Sequence, residues 1–106
     1  ENNNLLAIGE MLSTGQPLQF CRRDPASAEA DLRRMLRELK ARAPQPKGGV
    51  YYTCVGRGPN LFGADSGELR IIQEELGNLP LTGFYCNGEI SHNRLYGYTG
   101  VLTLFL

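Results

Sequence analysis

The stretch VYYTCVGRGPNLFG, residues 50–63, joins a strand signal to a glycine-rich loop, and its reading decides the fold. Val50 to Val55 are β-branched, aromatic or apolar on both alternating sets of positions. A run of this kind suits a strand central in a sheet or covered on both faces. Gly56, Gly58 and Gly63 then surround Arg57 ahead of a helix signal. Asp65 and Glu68, three apart, are spaced for a capping box. Leu69, Ile72 and Leu76 form an apolar stripe, and Gly77 suits the helix stop. PLTGFYC, ending at Cys86, reads as the next strand. Strand–helix–strand occurs twice, around residues 17–55 and 50–86, and each passage is long enough for a right-handed crossover between parallel strands.

Toward the N-terminus, residues 4–12 are mostly apolar, STGQP reads as a turn, and LQFCRR alternates at Leu18, Phe20 and Arg22. The pattern predicts a hairpin. Asp24 before Pro25 is a helix start, because the carboxylate caps free N–H groups and proline at the first helical position loses no hydrogen bond. Ala28, Leu32, Met35, Leu36 and Leu39 give that helix one apolar stripe, and APQPKGG ends it. Toward the C-terminus, NGEISHNR reads as a long turn and LYGYTGVLTLFL as a final strand. The expected fold is a single-domain α/β, or mixed α+β, structure. Its five-stranded mixed sheet and two helices run in the order ββαβαββ.

The chain has 106 residues, which fits one domain with its own core. Its eleven basic and eleven acidic side chains cancel, so no global field recruits nucleic acid or an anionic membrane. The charge is uneven: residues 22–47 carry eight Lys or Arg against four Asp or Glu. Without interleaved aromatics, Arg33, Arg34, Arg37, Lys40 and Arg42 read as a solvated helix face, not a nucleic-acid surface. No apolar run reaches the roughly 20 residues that span a bilayer. Three cysteines without a close pair point to a reducing compartment, and the expected location is cytoplasmic. The opening on Glu1 and the ending inside VLTLFL read as a piece of a longer protein.

Two chemistries remain open for the glycine loop: a structural turn and a small-anion site. Between a strand and a helix start, its backbone N–H groups can face an anion, and Arg57 supplies a bidentate fork. The dinucleotide fingerprint is not met, because Leu61 stands where a third glycine belongs, and no Lys-Ser/Thr ending makes a P-loop. A second group lies in FYCNGEISHNRL: Cys86, Glu89, His92 and Arg94. Cys86 with His92 as base is the thiol-nucleophile reading, but nearness in sequence is not catalytic geometry. Scattered cysteines and a single histidine lack metal-ligand spacing. With parallel strands, both loops leave the same sheet edge, where ligands of open α/β sheets bind. Arg57, Asn60, Asn87, Glu89 and His92 then converge, a set suited to a zwitterion and lacking a catalytic pair.

The motifs C-x-G-R-G-x-x-L-F-G and GFYCNGEI, with L-x-x-x-T beyond them, resemble the C-terminal half of the FIST sensory domain, over nearly the whole of 1–106. The matching positions are Cys54, Gly56, Arg57, Gly58, Leu61, Phe62, Gly63, Gly83, Phe84, Gly88, Glu89 and Ile90. The resemblance implies a non-enzymatic input module of bacterial signal transduction that binds a small ligand, amino acids among them. The ligand contacts would come from Gly56, Arg57, Gly58, Asn60, Asn87, Gly88, Glu89 and His92. The partners implied are the N-terminal FIST half and the output signalling domains of the parent protein. Relatives described as haem-based nitric oxide sensors imply an alternative with His92 as haem ligand. A relative in an F-box protein implies another, a module that docks a partner domain.

Overall fold

A computed structural model of the chain describes residues 4–106. Helix α1, Pro25–Arg42, begins where the sequence places it. Asp24 Oδ2 accepts the Ser27 hydroxyl at 2.7 Å and the Ser27 N–H at 2.9 Å. These bonds hold the Asp24 carboxyl below its ordinary range. The apolar stripe buries Leu36 in the core, with Leu32 packed beside it. The basic face is not simply solvated. Arg33 reaches Glu74 at 2.7 Å and Glu75 at 3.1 Å, and Arg37 reaches Glu75 at 3.0 Å. Lys40 Nζ donates to the Glu75 carbonyl at 2.6 Å. Glu74 and Glu75 belong to helix α3, Gly67–Leu76, so the arginines clamp two helices together. Arg37 and Arg33 hold the Glu75 carboxyl below its ordinary range.

Strand β1, Gly48–Cys54, is the central strand, as VYYTCV implies. It pairs in parallel with β2, Leu81–Cys86, and antiparallel with β5, Gly100–Phe105. A separate antiparallel hairpin joins β3, Glu89–Ser91, to β4, Arg94–Tyr96. A 3-10 turn over Val55–Arg57 and the short helix α2, Pro59–Phe62, fill the passage from β1 to α3.

The mixed α+β class and the 50–86 passage between parallel strands stand as expected, and five strands form among the described residues. The 17–55 passage does not join two strands, because no strand forms ahead of α1 there. The distribution of the strands differs: the sheet of three is β2-β1-β5, the hairpin is separate, and three α-helices form among the described residues. The hairpin expected over 4–22 has no ladder among the described residues, and Glu1–Asn3 lie outside them. A Gln16 N–H to Ser13 carbonyl bond at 3.1 Å makes the turn. The flanking Leu5, Leu6, Leu18 and Phe20 stay exposed, so no burial offsets the cost of ordering them into a ladder. The long turn NGEISHNR contains β3, with His92 turning the chain at φ 55°. The final strand breaks at Tyr98, φ 58°, which sends β5 back along β1.

The core lies between the helices and one sheet face: Leu36, Tyr51, Ile71 and Ile72, with Leu81 and Leu102 against them. At Gly83, a Cβ would fall on the Tyr51 carbonyl oxygen of the neighbouring strand, so only glycine permits this approach. Ile72 is 1 % exposed and is expected to be the most sensitive core position. Ile72→Ala should cost about 2–5 kcal/mol in urea unfolding; a loss under about 1 kcal/mol would contradict this placement of the core.

Candidate functional site

The C-terminal end of β1 carries a buried polar cluster. Tyr51 and Thr53 alternate with Tyr52 along the strand and face the helices, and Glu68 meets them from the first turn of α3. The Tyr51 hydroxyl donates to Glu68 Oε1 at 2.7 Å and the Thr53 hydroxyl to Oε2 at 2.8 Å. Arg57 Nε donates to Oε1 at 2.6 Å. Glu68 is 4 % exposed and the Arg57 side chain 15 %, so this ion pair is largely dry. Burial opposes the charge on Arg57, and Glu68 beside it more than offsets that, raising its pKa. Burial and the Glu68 carboxylate push the Tyr51 hydroxyl well above its ordinary value.

The capping box expected from Asp65 and Glu68 does not form. Ser66 occupies the cap position of α3 with φ 56°, makes no side-chain cap, and Glu68 turns inward to Arg57. Glu68 is the residue that sequence reasoning missed. The signal was present, because positions 68, 71, 72 and 75 lie on one helical face, and Ile71 and Ile72 mark that face as buried.

Gly56 and Gly58 do not adopt positive φ among the described residues. Gly56 is small because a Cβ would fall on the Tyr98 ring. Arg57 Nη1 donates to the Tyr98 carbonyl at 3.3 Å, which holds the turn before β5 against the loop. The helix after the loop, α2, has only four residues, so its dipole supplies no anion site of the expected kind.

The second loop stands beside the first. Cys54 and Cys86 are register partners at the ends of the parallel strands, so both loops leave one sheet edge. The Cys54 thiol lies 3.8 Å from the Asn87 carbonyl, and the Cys54 N–H donates to the Thr99 carbonyl at 2.9 Å. Glu89 accepts the Cys86 thiol at 3.0 Å on one oxygen and the Thr99 hydroxyl on the other. The Glu89 carboxylate raises the Cys86 thiol pKa, the reverse of what an activated nucleophile needs.

The expected site residues therefore fall into separate groups. Arg57, Gly56 and Gly58 join Glu68. Glu89, Gly88 and Asn87 join Cys86 and Thr99. Asn60 is exposed on α2, and His92 is exposed at the β3–β4 hairpin tip, 3.2 Å from the Ser91 hydroxyl. No ion pair links Arg57 to Glu89 among the described residues. Two cavities flank Tyr51. One of about 250 Å³ lies between α1 and β5 and includes Arg57, Leu32, Leu36 and Leu102 in its wall. One of about 390 Å³ lies between α3 and β2 over Glu68. Neither reaches His92, so the residues around that histidine do not fit a haem. No group of three His, Cys, Asp or Glu among the described residues is placed to hold a metal ion.

The Tyr51–Glu68 bond carries a pH signature. A tyrosine pKa raised on folding contributes stability that is present below its unfolded pKa, about 10, and is lost as pH rises above it. Tyr51→Phe should lose about 1.5–3 kcal/mol at pH 7, the value of a hydrogen bond to a charged group. It should also show a shallower fall in stability between pH 10 and 12 than the parent. Equal alkaline slopes in urea unfolding would contradict the buried bond.

The family model described as the FIST C domain matches residues 1–92. An uncharacterized protein of Mycobacterium tuberculosis, Rv0628c, is 40% identical over 106 residues, covering 95% of this chain and 28% of the relative. An uncharacterized protein of Mycobacterium bovis, Mb0898c, is 38% identical with the same coverage. The F-box/LRR-repeat protein At5g63520 of Arabidopsis thaliana is 31% identical over 100 residues, 90% of this chain and 19% of the relative. The chain thus spans less than a third of the length of these relatives. No solved structure matches. No helix among the described residues is long and apolar enough to cross a membrane. With GRG, LFG and GEI held at one sheet edge and the family model matching most of its length, the chain belongs to the FIST C domain family, a sensory and signal-transduction kind of domain.

Proposed function

We propose that this domain is the non-enzymatic input element of a signalling protein and that it binds a small carboxylate, an amino acid being the type ligand, at Arg57. The observation that carries this reading is the place of Arg57. Arg57 lines the cavity between α1 and β5, beside apolar Leu32, Leu36 and Leu102. Such a cavity holds an aliphatic body while Arg57 Nη1, which otherwise donates to the Tyr98 carbonyl, takes the carboxylate. The bound anion would draw Arg57 from the Tyr98 carbonyl, the contact that fixes the segment ahead of β5. Thr99 in that segment holds Glu89, so Asn87, Gly88 and Glu89 form the element that reads occupancy. Gly56 and Gly58 let the loop lie close to Tyr98 and Tyr85, while Asn60 and His92 are exposed and line neither cavity. The N-terminal FIST half and the output domains of a longer signalling protein are the partners that would receive this change, within the cytoplasm.

A thermal-shift panel of amino acids and small carboxylates tests the proposal. One class should raise the midpoint, by the equivalent of ~2.7 kcal/mol at a hundred times its dissociation constant. Arg57→Lys, which keeps a charge beside Glu68 but loses the fork, should abolish the rise, as should Leu102→Phe, which fills the cavity. Glu89→Gln should leave the rise intact. No rise for any ligand, or a rise unchanged in Arg57→Lys, would sink the reading.

A further inference from the structure

The three-stranded sheet has two faces, and among the described residues helices cover only one. The inner face meets the helices through Tyr51, Leu81 and Leu102. The ladder registers place Val50, Tyr52, Phe84, Val101 and Phe105 together on the outer face. Tyr52 is 37 % exposed, Val101 43 %, Phe105 54 % and Phe84 63 %. Tyr52 and Phe84 meet edge to face with ring centroids 4.9 Å apart, an aromatic pair open to solvent. Thr82 and Thr103 complete the face, and no charged side chain interrupts it. A sheet meant to face water shows polar residues there, and parallel strand pairs are covered on both faces.

Further apolar side chains, Leu5, Leu6, Leu18 and Phe20, stand exposed ahead of α1.

We propose that the outer face of the β2-β1-β5 sheet docks, within one polypeptide, against an uncharged apolar layer supplied by the remainder of a longer chain. The relatives identify that occupant over a second copy. This chain accounts for 28% of the length of the mycobacterial relatives, so more than two-thirds of such a protein lies outside it. A covering layer would sit about 10 Å from the sheet, as in two-layer folds. Cys54 and Cys86 lie at the end of this same face, next to the Asn87–Glu89 turn, so the contact adjoins the loops at the sheet edge. The inference stands apart from the ligand reading, since a domain that binds no carboxylate would still need this face covered.

The test compares the 106-residue chain with the polypeptide that carries it at its relatives' length. Tetranitromethane should nitrate Tyr52 in the short chain and leave it protected in the long one. Phe84→Asp with Val101→Asp should lower the melting midpoint of the long polypeptide by at least about 5 °C more than it lowers that of the short chain. Tyr52 equally reactive in both, or equal shifts in both, would overturn the proposal. So would a defined dimer of the short chain that the double variant dissolves, because a second copy would then be the occupant.

Discussion

The buried pair between Arg57 and Glu68 is the interaction on which the rest of the site depends. A carboxylate at 4 % exposure is costly unless its oxygens are bonded, and here Tyr51, Thr53 and Arg57 bond both of them. The pair joins three elements at once: β1 through Tyr51 and Thr53, the glycine loop through Arg57, and α3 through Glu68. It also reaches a fourth, because Arg57 holds the Tyr98 carbonyl ahead of β5. A buried ion pair is weak as a source of net stability, but breaking one is expensive, so its effect is to permit one loop geometry and penalise others.

That constraint explains the shape of the sequence around it. Gly56 is required because the Tyr98 ring occupies the space of its side chain, and Tyr98 accepts φ 58° to bring its carbonyl to Arg57. Arg23, just ahead of α1, lies over the same Tyr98 ring, with its guanidinium carbon 4.2 Å from the ring centroid. Cys54 and Cys86 act as small side chains at the ends of neighbouring strands. Their thiols satisfy backbone and carboxylate acceptors and make no reactive centre. The loops at 55–58 and 87–89 are thus two parts of one strand-edge assembly, linked through Thr99 and not through a direct Arg57–Glu89 contact.

Much of this was legible in the sequence because the local signals agreed with the packing. Asp24-Pro25 caps α1 as its chemistry requires, VYYTCV is the central strand, and PLTGFYC lies parallel to it. The misreadings share one physical cause, which is that tertiary contacts outweighed local patterns. Asp65 and Glu68 had the spacing of a cap, but Arg57 drew Glu68 inward. The arginines of α1 had the pattern of a solvated face, but Glu74 and Glu75 of α3 receive Arg33 and Arg37. LYGYTGVLTLFL reads as one run until the demand on the Tyr98 carbonyl breaks it. Leu18 and Phe20 alternate as a strand does, yet alternation without a surface to bury against yields no ladder.

The most direct measurement of the central claim is a double-mutant cycle on Arg57→Ala and Glu68→Ala, read by urea unfolding of the parent, both single variants and the pair. If the two side chains form one dry unit that pins the loop, the single losses will not add, and the coupling will be about 1.5–3 kcal/mol. Losses that add to within about 0.5 kcal/mol would mean that Arg57 and Glu68 act separately, and the account of the loop would fall.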